Sequence, residues 1–239
     1  MSGGGAGAPQ DDERLPVQHD DQSARAALIG NRRLYLCTSD RPDLERFLEA
    51  CLANGVDLVQ LRDKQLEARG VMRAASRAMR VCAAHGVPFI LNDRPDLALE
   101  TGADGVHVGQ DDAPPSLARR ILGARAIVGL STHAVAELQA SHDEPVDYIS
   151  AGPVSPTPTK PGRAGTGIGY AADATRAAGR PVFVTGGVDP DTVGPLVAAG
   201  VRRFVVVRFL TESIDPAGNA RRLRQAIDTA IAAGAQRPN

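Results

Sequence analysis

A rhythm limits what this chain can fold into more than any other feature. From Arg33 onward, short runs of β-branched and apolar residues alternate with stretches rich in Ala, Leu and Arg. The apolar runs are Leu34–Leu36, Leu58–Leu61, Pro88–Leu91, Gly105–Val108, Ala126–Leu130, Tyr148–Ala151, Val182–Thr185 and Phe204–Val207, eight in all. Helical patterns lie between them, including Leu44–Ala53, Ala68–Ala84, Thr192–Ala199 and Ala217–Ala232. Strands that alternate with helices form a parallel sheet, and short strands apolar throughout suit a sheet covered on both faces. Eight such units in about 200 residues favour a closed (β/α)8 (TIM) barrel over an open doubly wound sheet. Segments such as Asn54-Gly55-Val56-Asp57 and Thr101-Gly102-Ala103-Asp104 fit, because each places a glycine where a helix stops and a strand is about to begin.

Length agrees: 239 residues suit one barrel of the usual size, about 250. The first 30 residues carry no apolar segment of signal-peptide type and read as a disordered extension. The barrel is expected over 31–233, with a flexible tail at 234–239. No apolar run approaches the roughly 20 residues of a membrane span. A net charge of −1 gives no reason to expect nucleic acid or an anionic membrane as partner, so any anion site must be local. Cys37, Cys51 and Cys82 are few, odd in number and widely spaced, which argues against a disulfide framework or a zinc site and fits a reducing cytoplasm.

In such a barrel the chemistry belongs at the C-terminal ends of the strands. Gln60, Arg62 and Lys64 follow the second run with a period of two and are expected to point one way, a grip for phosphate oxygens or a solvated turn. Asn92-Asp93 follow the third run and Asp112 the fourth. The two aspartates are candidates for one hard cation such as Mg²⁺, or for helix caps. Ser131 follows the fifth run as an anion donor or a cap. His107, inside a run, reads as a satisfied interior histidine. The loop from Gly152 to about Tyr170 carries Thr157, Pro158, Thr159 and Lys160 and has the length of a functional lid. Gly186-Gly187 and Val207-Arg208 fall where barrels often bind phosphate through backbone N–H groups. Among 27 basic residues only Lys64 and Lys160 are lysines, and both lie on loops picked out by position. A site that needs a compact ammonium rather than a planar guanidinium would explain that.

The ordered set Gln-Leu-Arg-x-Lys, Asn-Asp, Gly-x-His-x-Gly-Gln-x-Asp, Gly-x-Ser-x-His, Gly-Pro-x-x-x-Thr-x-Thr-Lys and Gly-Gly-Val resembles the thiamine-phosphate synthase family over roughly residues 33–232. The resemblance implies a Mg²⁺-dependent transferase that joins a pyrimidine diphosphate to a thiazole phosphate. It implies that Gln60, Leu61, Arg62, Asp63, Lys64, Asn92, Ser131 and Lys160 hold the pyrimidine diphosphate, with Arg62, Lys64, Ser131 and Lys160 acting in catalysis. Asp93 and Asp112 would bind the Mg²⁺. Thr157, Pro158, Thr159, Gly187, Val207 and Arg208 would hold the thiazole phosphate. One departure is Arg208, where the family often has a serine. Three other readings compete: a thiazole tautomerase of the same fold, a Schiff-base aldolase using Lys160, and a non-catalytic sensor of the same ligands. The sequence leaves assembly into a homo-oligomer open.

Overall fold

A computed structural model describes residues 19–158, 162 and 164–235 of the chain. A helix, α1 (His19–Gly30), comes first, and then strands and helices alternate. The strands are β1 (Leu34–Thr38), β2 (Leu58–Leu61), β3 (Phe89–Asn92), β4 (Gly105–Val108), β5 (Ile127–Thr132), β6 (Tyr148–Ala151), β7 (Val182–Val184) and β8 (Phe204–Val206). The helices that follow them are α2 (Leu44–Leu52), α3 (Ala68–Ala84), α4 (Pro95–Thr101), α5 (Pro115–Leu122), α6 (Val135–Ala140), α7 (Gly167–Ala177), α8 (Pro190–Ala198), a short α9 (Arg208–Thr211) and α10 (Pro216–Ala235). Each strand pairs in parallel with its sequence neighbours, and β1 also pairs with β8, so the sheet closes on itself. The (β/α)8 barrel expected from the rhythm is therefore the observed fold.

Alternation along each strand sorts its side chains into two cores. Leu34 and Leu36, Val59 and Leu61, Phe89 and Leu91, and Val106 and Val108 face the helices in one large cluster. Tyr35 and Cys37, Leu58, Ile90, Ile127, Tyr148, Phe183 and Val205 face inward and fill the barrel. Both faces are dry, which is why the strands read as unbroken apolar runs. Glycines on β4 and β5 make room where neighbours come closest: a Cβ on Gly129 would lie 2.1 Å from Cζ of Tyr148, so glycine there admits the Tyr148 ring to the barrel centre.

The N-terminal boundary differs from expectation. The first 30 residues were expected to be disordered, yet α1 begins at His19 and lies across the N-terminal end of the barrel. Its Ile29 is fully buried in the inner cluster. Arg25 donates to Asp147 at 2.8 Å and to the carbonyl of Ala124, while Arg203 donates to the carbonyl of Gly30 at 2.6 Å. Asp147 also accepts from Arg119 at 2.7 Å and from the N–H of Val128 at 2.8 Å, so a nearly buried carboxylate is fully partnered. The hydrophobic content of α1 is low, which is why composition alone suggested disorder; one buried isoleucine and a few polar contacts, including an Arg125–Asp21 pair at 3.3 Å, attach it. Residues 1–18 and 236–239 lie outside the described residues, and α10 continues through Ala235, past the expected start of the tail. No helix among the described residues is long and apolar enough to cross a membrane.

Candidate active site

The C-terminal ends of the strands surround a cavity of about 320 Å³. Tyr35, Cys37, Gln60, His107, Ser131 and Val205 form its floor and inner wall, and Arg62, Asn92, Ser150 and Pro153 line it above them. The opposite wall comes from Thr157, the Thr185–Asp189 turn, Val207, Arg208, Phe209 and Glu212. Residues from all eight strands or the segments that follow them thus meet in one space, with a guanidinium at each side.

Gln60 and Arg62 share a side of the chain, as period two requires, and both reach the cavity. Lys64 does not follow them. β2 ends at Leu61, alternation stops with it, and Lys64 turns to place Nζ 3.1 Å from Oδ2 of Asp93. Leu61 points to the outer core and is 1% exposed, so its side chain does not face a ligand. Asp63 is also occupied: its carboxylate accepts from the N–H groups of Asp40, Gln65 and Leu66 and holds the β2–α3 turn in shape. For Leu61 and Asp63 only the backbone is left to meet a substrate.

Asp93 is the one non-glycine residue with a left-handed backbone among those described, at φ 61°. Such strain persists where the surroundings impose it, often at functional positions. Here the N–H of Asp93 donates to the carbonyl of His107 at 2.8 Å and the N–H of Arg94 to that of Asn92, which pins the turn. Burial, and next the carboxyl of Asp112 beside it, push the Asp93 carboxyl up from the ordinary aspartate range; Lys64 opposes the shift. Asp112 does not cap α5, which starts at Pro115 behind Pro114. Instead its Oδ2 accepts from the N–H of Gly109 at 2.7 Å, and a Cβ on Gly109 would crowd that same oxygen at 2.9 Å. Two carboxyl groups from adjacent strand-ends are therefore held close together, with the Lys64 ammonium against one of them. That is a donor set a hard divalent cation fits, with further oxygens supplied by water and phosphate. No third carboxylate, histidine or cysteine joins them among the described residues.

On the far side, Gly186 and Gly187 both adopt left-handed backbone, φ 101° and 76°. A Cβ on Gly186 would sit 2.5 Å from the N atom of Val154, so this turn demands glycine. Among the described residues the N–H groups of Gly186, Gly187 and Val188 have no hydrogen-bond acceptor. The first turn of α8 is less available, because Asp189 caps it by accepting from the N–H groups of Asp191 and Thr192. Arg208 lines the cavity with its Nη1 4.0 Å from Glu212. Thr157 faces the cavity and Pro158 does not; Thr159 and Lys160 lie outside the described residues.

Beneath these groups runs a buried polar network that the motifs do not disclose. Tyr35 and Tyr148 join hydroxyl to hydroxyl at 2.8 Å, Gln60 Nε2 donates to Tyr35 at 2.6 Å, and His107 bridges Tyr148 at 3.0 Å and Ser131 at 2.9 Å. Burial drives both tyrosine hydroxyls well above their usual pKa. His107 is thus a satisfied interior histidine, as expected, and also part of the cavity wall. Tyr35, Tyr148, Ser150, Thr185 and Phe209 were not picked out from the sequence. Inward-facing strand positions in a barrel buried on both sides look like core, and only their polar atoms hinted otherwise. His133, two residues after Ser131, pairs with Glu137 at 3.0 Å. Burial pushes the thiols of Cys51 and Cys82 up to about 12, in keeping with inert core residues.

Fold and rim together define a (β/α)8-barrel protein with two arginines and a glycine-rich turn gathered at its mouth. Residues 34–210 match the family described as thiamine monophosphate synthase. The chain is 47% identical over 219 residues to the thiamine-phosphate synthase of Thermobifida fusca, covering 89% of this chain and all of that one. It is 45% identical over 212 residues to the thiamine-phosphate synthase of Mycobacterium sp. (strain KMS), covering 83% and 94%. The structure of thiamine phosphate pyrophosphorylase from Pyrococcus furiosus superposes with a TM-score of 0.77 over 87% of this chain and 98% of that one, at 24% identity, a likeness of fold. The chain belongs to the thiamine monophosphate synthase family.

Proposed function

We propose that this chain is a thiamine-phosphate synthase. In this reading it condenses 4-amino-2-methyl-5-(diphosphooxymethyl)pyrimidine with 4-methyl-5-(2-phosphoethyl)thiazole, or its carboxylated form, and releases thiamine phosphate and pyrophosphate. The observation that carries the reading is one cavity with an anion grip on each side. Arg62 and Asn92 stand beside the Asp93–Asp112 pair on one side, and the free N–H groups of Gly186–Val188 stand with Arg208 on the other. Two phosphorylated ligands that meet over a shared floor need that layout.

Asp93 and Asp112 would hold Mg²⁺, which when bound supplies charge neutralisation to the diphosphate. Arg62, with Lys64 and Lys160 from the flanking loops, would stabilise the charge that develops on departing pyrophosphate, a role for fixed cations rather than for a proton donor. The pyrimidine methylene would become a cation stabilised by its electron-rich ring, and the thiazole nitrogen would attack it. The walls would exclude water meanwhile. That account asks for no nucleophile–base pair, and it agrees with a cavity whose polar floor groups are bonded to one another. The cytoplasm and a role in thiamine synthesis belong to this same reading.

The test is direct. Purified protein with both substrates and Mg²⁺ should yield thiamine phosphate and pyrophosphate in equal amounts, followed by ³¹P NMR. A rearranged thiazole without pyrophosphate would favour the tautomerase instead, and binding without any product the sensor.

A further inference from the structure

Six polar side chains on five strands form one unbroken line of hydrogen bonds beneath the cavity. The line runs Cys37, Gln60, Tyr35, Tyr148, His107, Ser131. All six are 8% exposed or less, and both ends line the cavity. We propose that this line is directional: Tyr35, Tyr148 and His107 act as positioning residues that fix which end offers a hydrogen-bond donor to the ligand and which an acceptor.

The reasoning is a count of protons. A tyrosine hydroxyl has one proton to give. Gln60 Nε2 donates to the Tyr35 oxygen, so the Tyr35 proton goes on to Tyr148, its other partner. The Tyr148 oxygen now accepts, so its own proton goes to Nδ1 of His107. The imidazole then carries its proton on Nε2, aimed at Ser131 Oγ. Ser131 is left with its own proton free for the cavity. At the other end, Gln60 presents Oε1, where the Cys37 thiol, a weak donor, sits at 3.5 Å, consistent with this amide orientation. Were the amide turned over, every bond in the line would reverse with it. In either state the two ends remain complementary, one donor and one acceptor.

The packing keeps the line in register. The Tyr148 ring meets Tyr35 and Phe183 edge-on at centroid distances of 5.9 and 5.5 Å and stacks on His107 at 5.5 Å, in space that only a glycine at 129 leaves open. A chain of buried hydrogen bonds whose members polarise one another is a cooperative unit. The floor therefore selects a heterocycle with both an acceptor nitrogen and an N–H donor. This assignment of ligand rests on the function proposed above. Of the two substrates only the aminopyrimidine offers both, whereas the thiazole ring has no N–H, which agrees with the pyrimidine placement that the family resemblance implies for Gln60 and Ser131; the direction of the line is what the structure adds.

The test reads the histidine tautomer and substrate binding separately. In protein labelled with ¹⁵N-histidine, a long-range ¹H–¹⁵N spectrum should show His107 with its proton on Nε2. Tyr35→Phe removes one oxygen, does not touch His107, and severs the line at Gln60. It should leave His107 as a mixture of both tautomers. It should also raise KM for the pyrimidine diphosphate about tenfold, the scale of one hydrogen bond, while KM for the thiazole phosphate changes less than about twofold. Tyr148→Phe cuts the next link and should give the same KM split, which guards against a Tyr35 variant that does not fold. A proton on Nδ1 in the unaltered protein, an unchanged tautomer in Tyr35→Phe, or equal shifts in both KM values would overturn the proposal. If the unaltered protein makes no thiamine phosphate, the functional reading fails, and the tautomer measurement still decides whether the line is directional.

Discussion

Replacing Ile29 with alanine tests whether α1 is part of the fold. The side chain is fully buried against the inner ends of Leu58, Ile90 and Ile127, so it stoppers the barrel at the end away from the cavity. The substitution removes three carbons, worth about 2.4 kcal/mol at roughly 0.8 kcal/mol per buried methylene. The void left in a rigid aromatic and aliphatic layer adds to this, for a total of about 3–4 kcal/mol, inside the usual range for buried isoleucine to alanine. In a chain of this size each kcal/mol lowers Tm by roughly 2–4 °C, so the expected fall is about 6–16 °C. Calorimetry or circular dichroism on heating measures it. Arg25→Ala should cost less, about 1–2 kcal/mol, because Asp147 retains Arg119 and the N–H of Val128. Turnover at 25 °C per folded molecule should not change in either variant, since the site lies at the opposite rim. A Tm drop below about 2 °C in Ile29→Ala would refute the reasoning: it would mean that α1 is not docked in solution and that the extension is as idle as its composition suggests.

Three further outcomes follow from the site. Gly129→Ala forces a methyl into the Tyr148 ring and should destabilise by about 1–3 kcal/mol, read as a shift in denaturant midpoint; an unchanged midpoint would mean the ring has room to move. Asp93→Asn keeps a residue tolerant of the left-handed backbone and removes only the charge, so the Mg²⁺ needed for half-maximal activity should rise at least tenfold; an unaltered Mg²⁺ titration would take Asp93 out of the metal site. Arg208→Ser should raise KM for the thiazole phosphate about tenfold with little effect on the pyrimidine diphosphate, the scale of one charge-assisted bond, and equal effects on both would place the guanidinium elsewhere.

The strands were legible because parallel strands buried on both faces leave continuous apolar runs, and all eight appear within a residue or two of where the pattern put them. Helix limits were less so. α8 starts at Pro190 rather than Thr192, since Asp189 and Thr192 form a capping box two residues earlier than periodicity suggests. The same dryness that revealed the strands concealed the floor. Tyr35 and Tyr148 sit in runs whose inward and outward positions are both apolar in character, and nothing in one dimension tells which tyrosine oxygen meets which histidine. Gln60, Arg62, Asn92, Ser131 and Gly187 could be found because they stand where a run stops. Lys64 was placed in the wrong direction because alternation was extended past the end of β2, into a turn whose shape is set by Asp63.

The sealed base formed by Ile29 and the ring of residues around it has a consequence for what happens above it. Among the described residues the barrel is packed at its base and open at its rim. In the proposed reaction, a short-lived electrophile formed over the tyrosine–histidine floor would be shielded from below by packed side chains, and its partition between productive capture and wasteful hydrolysis would be set at the rim. On that reading, changes at the base would loosen or tighten the molecule without altering the ratio, whereas changes at the rim would alter it.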